Sequence, residues 1–372
     1  MFECKITQQG LVHQVSISPT LPEHTYALYV FARTTAKNKF TRVATYWYQD
    51  TASFAFEADS AHSDLRFQYF IKNPNGDLIC NQNTNIIKKA RPALSPQNLG
   101  FSESMEADVI NDYCVPIKYT RLKDDRRHYI FFNGALSQST IALHPIFHRH
   151  SWAKRINTNT LNIYDASVNP LKGYFLGWYQ GTHDRPLHND IVAIVEQLKR
   201  QHGLSNSDLV FYGSSGGGWA ALRYASLFKG SLAVAVNAQI EILNFCFPKE
   251  VQKFIENCYP GLTKEDVTAK FSDELSINPL MFSPSQDAES SRFILVQNIV
   301  DTPHYEDHFL PFWSKFSSNM SGGWDKDKHN YSIVYDHPSG HAGEPDDVFL
   351  TIQDAILRMT TNTESGSLSS SV

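Results

Sequence analysis

A serine flanked by glycines stands where a strand-like sequence gives way to a helix-like one. Residues 209–222 read LVFYGSSGGGWAAL and contain the motif G-x-S-x-G centred on Ser215. A sharp strand-to-helix turn strains the backbone of such a serine, and its neighbours must lack side chains that would clash. The motif predicts that Ser215 attacks an acyl carbonyl, whereas Ser214 would point elsewhere from the same turn. The alternative interpretation is a glycine-rich loop that only caps a helix or binds a phosphate.

A serine nucleophile needs a general base, usually a histidine that a carboxylate orients. In sites of this kind the acid precedes the histidine along the chain. Asp301 follows the apolar run 293–300, and His341 lies in a glycine-flanked loop after the run 331–335. We therefore expect Asp301 and His341 to complete a triad with Ser215. The competing candidates are His337 for the base and Asp336, Asp307 and Glu241 for the acid.

Backbone N–H groups that stabilise an oxyanion come from two places in such sites. One is the residue after the nucleophile, which here is Gly216 at the start of the expected helix. The other is a small-residue turn after an early strand, and residues 129–135 (YIFFNGA) have that pattern. Gly134 or Ala135 is the expected second donor, unless the segment is a plain β-turn.

Two groups of side chains raise the question of a metal ion. They are His144, His148 and His150, and then His304 with Asp307 and His308. The first group lacks the glutamate spacing of a zinc protease and the second lies on an expected helix, so we predict no metal. The five cysteines include no C-x-x-C pair, which favours reduced thiols over a disulfide framework.

The elements around these residues change character along the chain. Up to about residue 80, short β-branched and aromatic runs alternate with turn sequences such as NPNGD at 73–77. This pattern predicts a small Ig-like β-sandwich at residues 1–85. The composition then turns polar, and we place a linker at 86–114. The low-complexity tail at 361–372 is expected to be disordered.

Residues 115–360 predict strands that alternate with helices, which indicates a mostly parallel sheet. With the elbow, this pattern predicts an α/β-hydrolase catalytic domain. Apolar residues at helical spacing predict helices near 191–198 and 348–359. The expected strands are 129–133, 160–164, 208–212, 232–237, 292–299 and 331–335.

The composition is ordinary for a soluble globular protein, with 42% apolar and 19% charged residues and a net charge of -5. A negative net charge argues against a nucleic-acid partner. No apolar run approaches the length of a membrane-spanning helix, and the N-terminus has no signal-peptide core. We expect a cytoplasmic protein without an integral membrane segment.

Several of these segments together resemble bacterial α/β-hydrolase-fold proteins from surface-glycan gene clusters. The group includes capsule biosynthesis proteins and the glycan acetyltransferases of accessory Sec systems, and several members carry a small β-domain ahead of the catalytic domain. The resemblance covers about residues 129–359 and only loosely the first eighty. The segments that carry it are FNG at 132–134, GSSGGG at 213–218, NAQ at 237–239, VQN at 296–298 with Asp301, and GH at 340–341.

The resemblance implies an O-acetyltransferase that acetylates Ser215 and passes the acetyl group to a hydroxyl of a capsular or surface polysaccharide. It implies acetyl-CoA as the donor, no tightly bound cofactor, and an association with a capsule assembly complex. Trp178, Tyr179 and Trp219 are candidates for stacking on sugars, although core packing explains them equally well. The motif fits an esterase or another serine hydrolase as well, with water replacing the sugar. A third alternative is a non-catalytic accessory protein of capsule biosynthesis.

Overall fold

The computed structural model of the chain describes residues 2–9, 12–34, 37–58, 62–84, 86–88, 92–139, 145–284 and 290–361. Contacts between Cα atoms divide the chain into two compact units, Met1–Arg91 and Pro92–Val372. Two features predicted from the sequence lie outside the described residues, namely His144 and all but the first residue of the tail at 361–372.

Antiparallel strands in two sheets form the first unit. One sheet has the order β1-β2-β5, and the other has the order β4-β3-β6-β7 with β8 paired to β6. The strands are β1 (Glu3–Gln9), β2 (Val12–Ser18), β3 (Thr25–Thr34), β4 (Lys37–Gln49), β5 (Ser53–Glu57), β6 (His62–Lys72), β7 (Leu78–Asn83) and β8 (Ile87–Lys88). Alternate residues of both sheets, such as Val15, Phe54, Val30 and Phe67, join one buried cluster. A period of two in each strand therefore gives the unit a single core.

A ten-stranded mixed sheet is the centre of the second unit. Its order is β19-β20-β18-β17-β16-β12-β13-β11-β10-β9, and the run from β13 to β20 is parallel. The strands are β9 (Ala93–Leu94), β10 (Met105–Ile110), β11 (Cys114–Thr120), β12 (His128–Phe132), β13 (Asn159–Ile163), β16 (Leu209–Ser214), β17 (Leu232–Val236), β18 (Arg292–Asn298), β19 (Gly322–Trp324) and β20 (Tyr331–Tyr335). All six strands predicted for this part of the chain are present, with ends that differ by at most two residues.

Helices connect the parallel strands, and β14 (Gly181–Thr182) and β15 (Arg185–Pro186) form a separate small hairpin. The helices are α1 (Trp152–Ile156), α2 (His188–His202), α3 (Gly216–Leu227), α4 (Pro248–Cys258), α5 (Lys264–Phe271), α6 (Thr302–His304), α7 (Leu310–Trp313) and α8 (Asp346–Thr361). A π-helical turn, Tyr305–Phe309, joins α6 to α7. Short 3-10 turns occupy Pro96–Asn98, Pro170–Lys172, Asn206–Asp208, Ile242–Asn244 and Pro279–Phe282.

The apolar residues of the large sheet form two layers, one on each face. Residues of α2, α3 and α4, such as Ile194 and Phe254, share one buried cluster with Phe211 of β16. Residues of α8, such as Ile352, share the other with Val210 of the same strand. Because both faces are covered, β12, β13 and β17 are buried along their whole length, as parallel strands usually are.

The predicted linker at 86–114 differs from the structure, because β9 and β10 lie within it. β10 pairs with β11 from Met105 to Ile110. Ala107 and Val109 of β10 are fully buried, while Glu106 forms an ion pair with Lys118. An edge strand with polar residues on its exposed side has the composition of a linker, which explains the error. No helix in the described part of the chain is both long and apolar enough to cross a membrane.

Candidate active site

Ser215 occupies the turn between β16 and α3, with φ 56° and ψ −126°. Its N–H donates to the carbonyl of Val236 on the neighbouring strand at 2.9 Å, and the residue is only 8% exposed. A Cβ at Gly213 would overlap the carbonyl of Gly217, and a Cβ at Gly217 would lie 2.6 Å from the carbonyl oxygen of Asn133. The glycines are therefore required by close backbone approach, and Ser215 has the strained backbone that the motif predicts.

The loop after β12 lies directly against this turn. A Cβ at Gly134 would lie 3.4 Å from the Cβ of Ser215. The preceding residue, Asn133, fixes the loop, because its side chain accepts from the N–H of His148 at 2.8 Å and donates to the carbonyl of Ile146 at 2.6 Å. The N–H of Gly216, in the first turn of α3, has no acceptor within the helix. The backbones of Gly134 and Gly216 thus lie on two sides of Ser215.

Asp301 holds two imidazoles, one on each carboxylate oxygen. Its Oδ2 lies 2.6 Å from Nδ1 of His341, and its Oδ1 lies 2.9 Å from Nδ1 of His304. Burial by itself raises the pKa of Asp301. The hydrogen bonds from His304 and His341 together have the opposite and larger effect, and they lower this pKa to about 2. Asp301 is therefore a carboxylate at any physiological pH, and each ring directs an Nδ1–H towards it.

The competing acids and the competing base differ from Asp301 and His341 in burial and in hydrogen bonding. Asp336, Asp307 and Glu241 are exposed, whereas Asp301 is buried. Nδ1 of His337 lies 2.6 Å from Oγ of Ser339, so this ring is engaged within its own loop. The structure thus brings together Asp301 and His341 from the set that the sequence offered. Among the described residues no hydrogen bond joins His341 to Ser215.

Gln239 is the side chain that contacts the serine hydroxyl. Its Nε2 lies 3.0 Å from Oγ of Ser215 and 2.6 Å from Nε2 of His304. Its Oε1 accepts from Nε1 of Trp178 at 3.2 Å. Gln239 and His304 are both buried. An unbroken set of hydrogen bonds therefore runs from Ser215 through Gln239 and His304 to Asp301.

Sequence reasoning did not assign these roles to Gln239 and His304. Gln239 lies three residues beyond the end of β17, and although the segment 237–239 is one of those that carry the resemblance, a single glutamine does not by itself indicate a catalytic role. Sequence reasoning treats His304 only as a candidate metal ligand, although it is three residues after Asp301 at the start of a helical segment. That spacing places both side chains on one face of a helix and was the available signal.

Two asparagines hold the loop that carries His341. Asn298, at the end of β18, donates from Nδ2 to the carbonyls of His337 at 2.8 Å and Gly340 at 2.9 Å. Asn237, just after β17, donates to the carbonyl of Ala342 at 3.0 Å and accepts from the N–H of Asn298 at 2.8 Å. The ends of two parallel strands therefore fix the position of the loop that carries His341.

A buried ion pair holds the other end of the same loop. Arg149 donates from Nη2 to Oε2 of Glu344 at 2.8 Å, and the hydroxyl of Tyr212 donates to Oε1 at 2.6 Å. Burial by itself raises the pKa of Glu344, but the charge of Arg149 and the two hydrogen bonds keep that pKa below its ordinary value. Glu344 is therefore charged and fully paired where it meets the core of the sheet.

Asp301, His304 and His341 could also be considered as metal ligands, since one atom from each lies within 4.8 Å of the others. Both Nδ1 atoms already donate to the carboxylate, so a cation there would have to displace two protons. Two of the other histidines considered make backbone contacts: Nδ1 of His150 lies 2.8 Å from the carbonyl of Phe147, and Nδ1 of His308 accepts from the N–H of Ile240.

The three aromatic residues considered for sugar stacking belong to the core. Trp178, Tyr179 and Trp219 are at most 2% exposed. Trp178 packs edge-on against Phe245 and also holds Gln239. Packing, together with this hydrogen bond, accounts for these residues.

No protein-family model matches the chain, and no curated protein is similar to it in sequence. Among solved structures, it is similar to the glycosylation-associated Gap123 complex of Streptococcus agalactiae, with 13% identity, a TM-score of 0.48, and coverage of 97% of this chain and 71% of that one. It is similar to the capsule O-acetyltransferase of Neisseria meningitidis serogroup A, with 10% identity, a TM-score of 0.47, and coverage of 71% and 96%. It is also similar to the fluorophosphonate-binding serine hydrolase F of Staphylococcus aureus, with 13% identity, a TM-score of 0.42, and coverage of 69% and 97%. These likenesses concern the fold alone and assign no substrate.

Proposed function

We propose that the chain is a serine-dependent acyl-transfer enzyme of the α/β-hydrolase type, preceded by a β-sandwich unit. The observation that carries this proposal is the buried Asp301 carboxylate, which orients His341 at the same edge of the sheet as the strained Ser215. A structural role for Ser215 alone would need neither a positive φ nor a carboxylate-bound imidazole close by.

In the proposed first half-reaction, Nε2 of His341 takes the proton from Ser215 Oγ as Oγ bonds to the acyl carbon. Nδ1–H of His341 donates to Asp301, which leaves Nε2 as the ring nitrogen that can accept a proton. A hydrogen bond from Oγ of Ser215 to Nε2 of His341 would form on substrate binding, since catalytic hydrogen bonds often tighten only in the substrate complex. The imidazolium then protonates the leaving group, and the acyl group remains on Oγ.

The oxyanion that forms in both half-reactions would lie between the loop after β12 and the first turn of α3. We propose Gly216 and either Ala135 or Gly134 as the N–H donors. The close approach of Gly134 to Ser215 and the open N–H of Gly216 support this assignment. Each such donor typically contributes about 10²–10³ in rate.

In the second half-reaction His341 deprotonates an acceptor, whose oxygen attacks the acyl carbon and releases Ser215. We propose a glycan hydroxyl as the acceptor and acetyl-CoA as the donor, which makes the enzyme an O-acetyltransferase. One of the similar structures is a capsule O-acetyltransferase in complex with CoA, and this assignment for the present chain follows it only as an analogy. The His341 side chain is 37% exposed, so water can also reach it, and this observation favours an esterase as the second candidate.

The first unit offers a surface suited to an acidic polysaccharide. On the outer face of its larger sheet, the rings of Tyr29 and Phe70 lie 4.7 Å apart, and Trp47 is 69% exposed beside Tyr29. The guanidinium of Arg42 lies 4.8 Å from the centre of the Tyr29 ring, and Arg66 stacks on a further ring of this face. The exposed Trp47 and the half-buried rings beside it fit the apolar faces of sugars, and arginines fit their carboxylates or phosphates.

The test is to incubate the purified protein with radiolabelled acetyl-CoA and with an activated acetyl ester, with and without polysaccharide. Label on Ser215 that moves to the polysaccharide supports the transferase, and Ser215→Ala should carry none. Label released only to water identifies an esterase. Absence of labelling by both donors in a folded protein refutes acyl transfer and supports the accessory-protein alternative. A Trp47→Ala variant should lose affinity for the polysaccharide while its reaction with the activated ester is unchanged.

A further inference from the structure

The amide of Gln239 can adopt only one orientation. The indole N–H of Trp178 is a donor without acceptor capacity, so the atom 3.2 Å away must be the amide oxygen. The amide nitrogen then necessarily faces Ser215 and His304. The reversed amide would set its NH₂ group against the indole N–H. Trp178 therefore fixes which group the serine meets.

This orientation determines the state of His304. The amide nitrogen of Gln239 donates to Nε2 of His304, so Nε2 carries no proton. Nδ1 carries the proton and donates it to Asp301 at 2.9 Å. His304 is therefore neutral, consistent with burial lowering its pKa below the ordinary value. A neutral His304 also leaves the charge of Asp301 available to the imidazolium of His341.

The same orientation determines how Ser215 is hydrogen-bonded. The second N–H of Gln239 points to Oγ, which accepts it through a lone pair. The proton on Oγ must then be directed elsewhere, which leaves it free to be transferred to a base. A residue that only packed against Ser215 would not determine that Oγ accepts a hydrogen bond and directs its own proton elsewhere.

We propose that Gln239 is a further catalytic residue, whose N–H stabilises negative charge on Ser215 Oγ, with Trp178 and His304 as its positioning residues. This inference rests on the proposed acyl-transfer function. During deacylation the base removes the acceptor proton, the acceptor oxygen bonds to the acyl carbon, and the bond from that carbon to Oγ breaks. Oγ receives the electron pair and then the proton from His341. Until that proton arrives, the N–H of Gln239 faces the developing alkoxide.

The effect on the two half-reactions is unequal. A donor to Oγ withdraws electron density from the nucleophile during acylation but stabilises the leaving oxygen during deacylation. Gln239 should therefore accelerate deacylation much more than acylation. The surrounding backbone supports a specific role, since Trp178 and Tyr179 both have positive φ, 48° and 59°. Asp165, which is buried, accepts the N–H groups of Gly177 and Tyr179 and holds this strained loop in place.

The experiment measures both half-reactions with p-nitrophenyl acetate by stopped flow, together with intact-mass detection of the acetyl-enzyme. Gln239→Leu should slow deacylation about 10- to 100-fold, the effect expected of one hydrogen bond to a charged group. Acylation should change by less, so the acetyl-enzyme accumulates. Trp178→Phe, which leaves the amide free to reverse, should show the same bias more weakly. Gln197→Leu makes the same change at a buried glutamine on α2 and should alter neither step.

If Gln239→Leu slows both steps equally, or changes neither step, the proposed role of Gln239 is wrong. The proposed function still stands in that case, provided that the wild-type protein becomes acetylated. A wild-type protein that never becomes acetylated overturns the proposed function and this inference with it. Circular dichroism on each variant identifies a failure to fold, in which case Trp178→Phe supplies the comparison of the two steps.

Discussion

The imidazole rings of His304 and His341 stack on one another with centroids 4.0 Å apart, and both bind the carboxylate of Asp301. The two rings differ in what their Nε2 atoms meet. Nε2 of His304 contacts Nε2 of Gln239 inside the protein. His341, by contrast, is exposed to solvent. One carboxylate therefore orients both His341, the base that we propose, and the buried His304, which contacts Gln239 beside Ser215.

This difference predicts unequal effects of removing the two histidines. His341→Ala should lower kcat roughly 10⁴-fold, because the neighbouring imidazole, His304, has both ring nitrogens engaged by Gln239 and Asp301. His304→Phe keeps a ring that stacks on His341 and loses only hydrogen bonds, so we expect a loss of about tenfold. The fall should be in kcat with KM unchanged. Steady-state kinetics with an acetyl ester measures both, and a larger loss in His304→Phe than in His341→Ala would identify His304 as the base.

The ion pair between Arg149 and Glu344 should stabilise the fold far more than its neighbour at the surface. Glu344→Gln leaves the Arg149 guanidinium buried without a counter-charge, which should lower the free energy of unfolding by about 3–5 kcal/mol. The control is Asp346→Asn, which removes an ion pair between Asp346 and Arg155. The side chain of Asp346 is 90% exposed. That change should cost less than about 1 kcal/mol. Urea unfolding measures both, and equal losses would contradict the assignment.

His128 should make the protein less stable as the pH falls below neutral. Burial lowers the pKa of His128 to about 4, from 6.5, while its ring is held between Tyr119 and the carbonyl of Arg126. Between these two values the unfolded chain binds a proton that the folded chain does not. The free energy of unfolding therefore falls as the pH falls through this window, by about 2 kcal/mol from pH 7 to pH 5 for this residue.

The comparison is with His128→Phe, which keeps an aromatic ring beside Tyr119 but cannot titrate. Urea unfolding at pH 7 and pH 5 should show a smaller acid loss in the variant than in the wild type, whatever its absolute stability. Tyr119 keeps a second partner, His202, in the variant. The same slope in both proteins would show that His128 does not carry the effect.

Gly213 and Gly100 should respond oppositely to alanine. A Cβ at Gly213 would overlap the backbone of Gly217, so Gly213→Ala should destabilise the fold by about 3 kcal/mol or more. Nothing lies within 4 Å of a Cβ at Gly100, whose φ is not positive, so Gly100→Ala should be neutral or slightly stabilising. Thermal unfolding of both variants measures the difference. A Gly213→Ala protein as stable as the wild type would show that the turn can open without cost.

Most of the large sheet could be predicted because its strands are buried runs of apolar residues, as in β12 and β17. β10 could not be, since only every second residue of this strand is buried. Asp301 and His341 could be found because the order of residues along the chain and the ends of strands restrict the choice. Gln239 could not be, because its role depends on where the pairing of β16 with β17 places one amide relative to Ser215. Such a relationship depends on how the strands pair in three dimensions, and the sequence NAQ at 237–239 does not by itself reveal it.

The connections that Asn237 and Asn298 make between strand ends have a consequence for biosynthesis. Ser215 is translated before the loop that carries His341, and Asn237 and Asn298, at the ends of β17 and β18, hold that loop. A nascent chain that still lacks this loop can therefore contain the serine turn without the base that we propose for it.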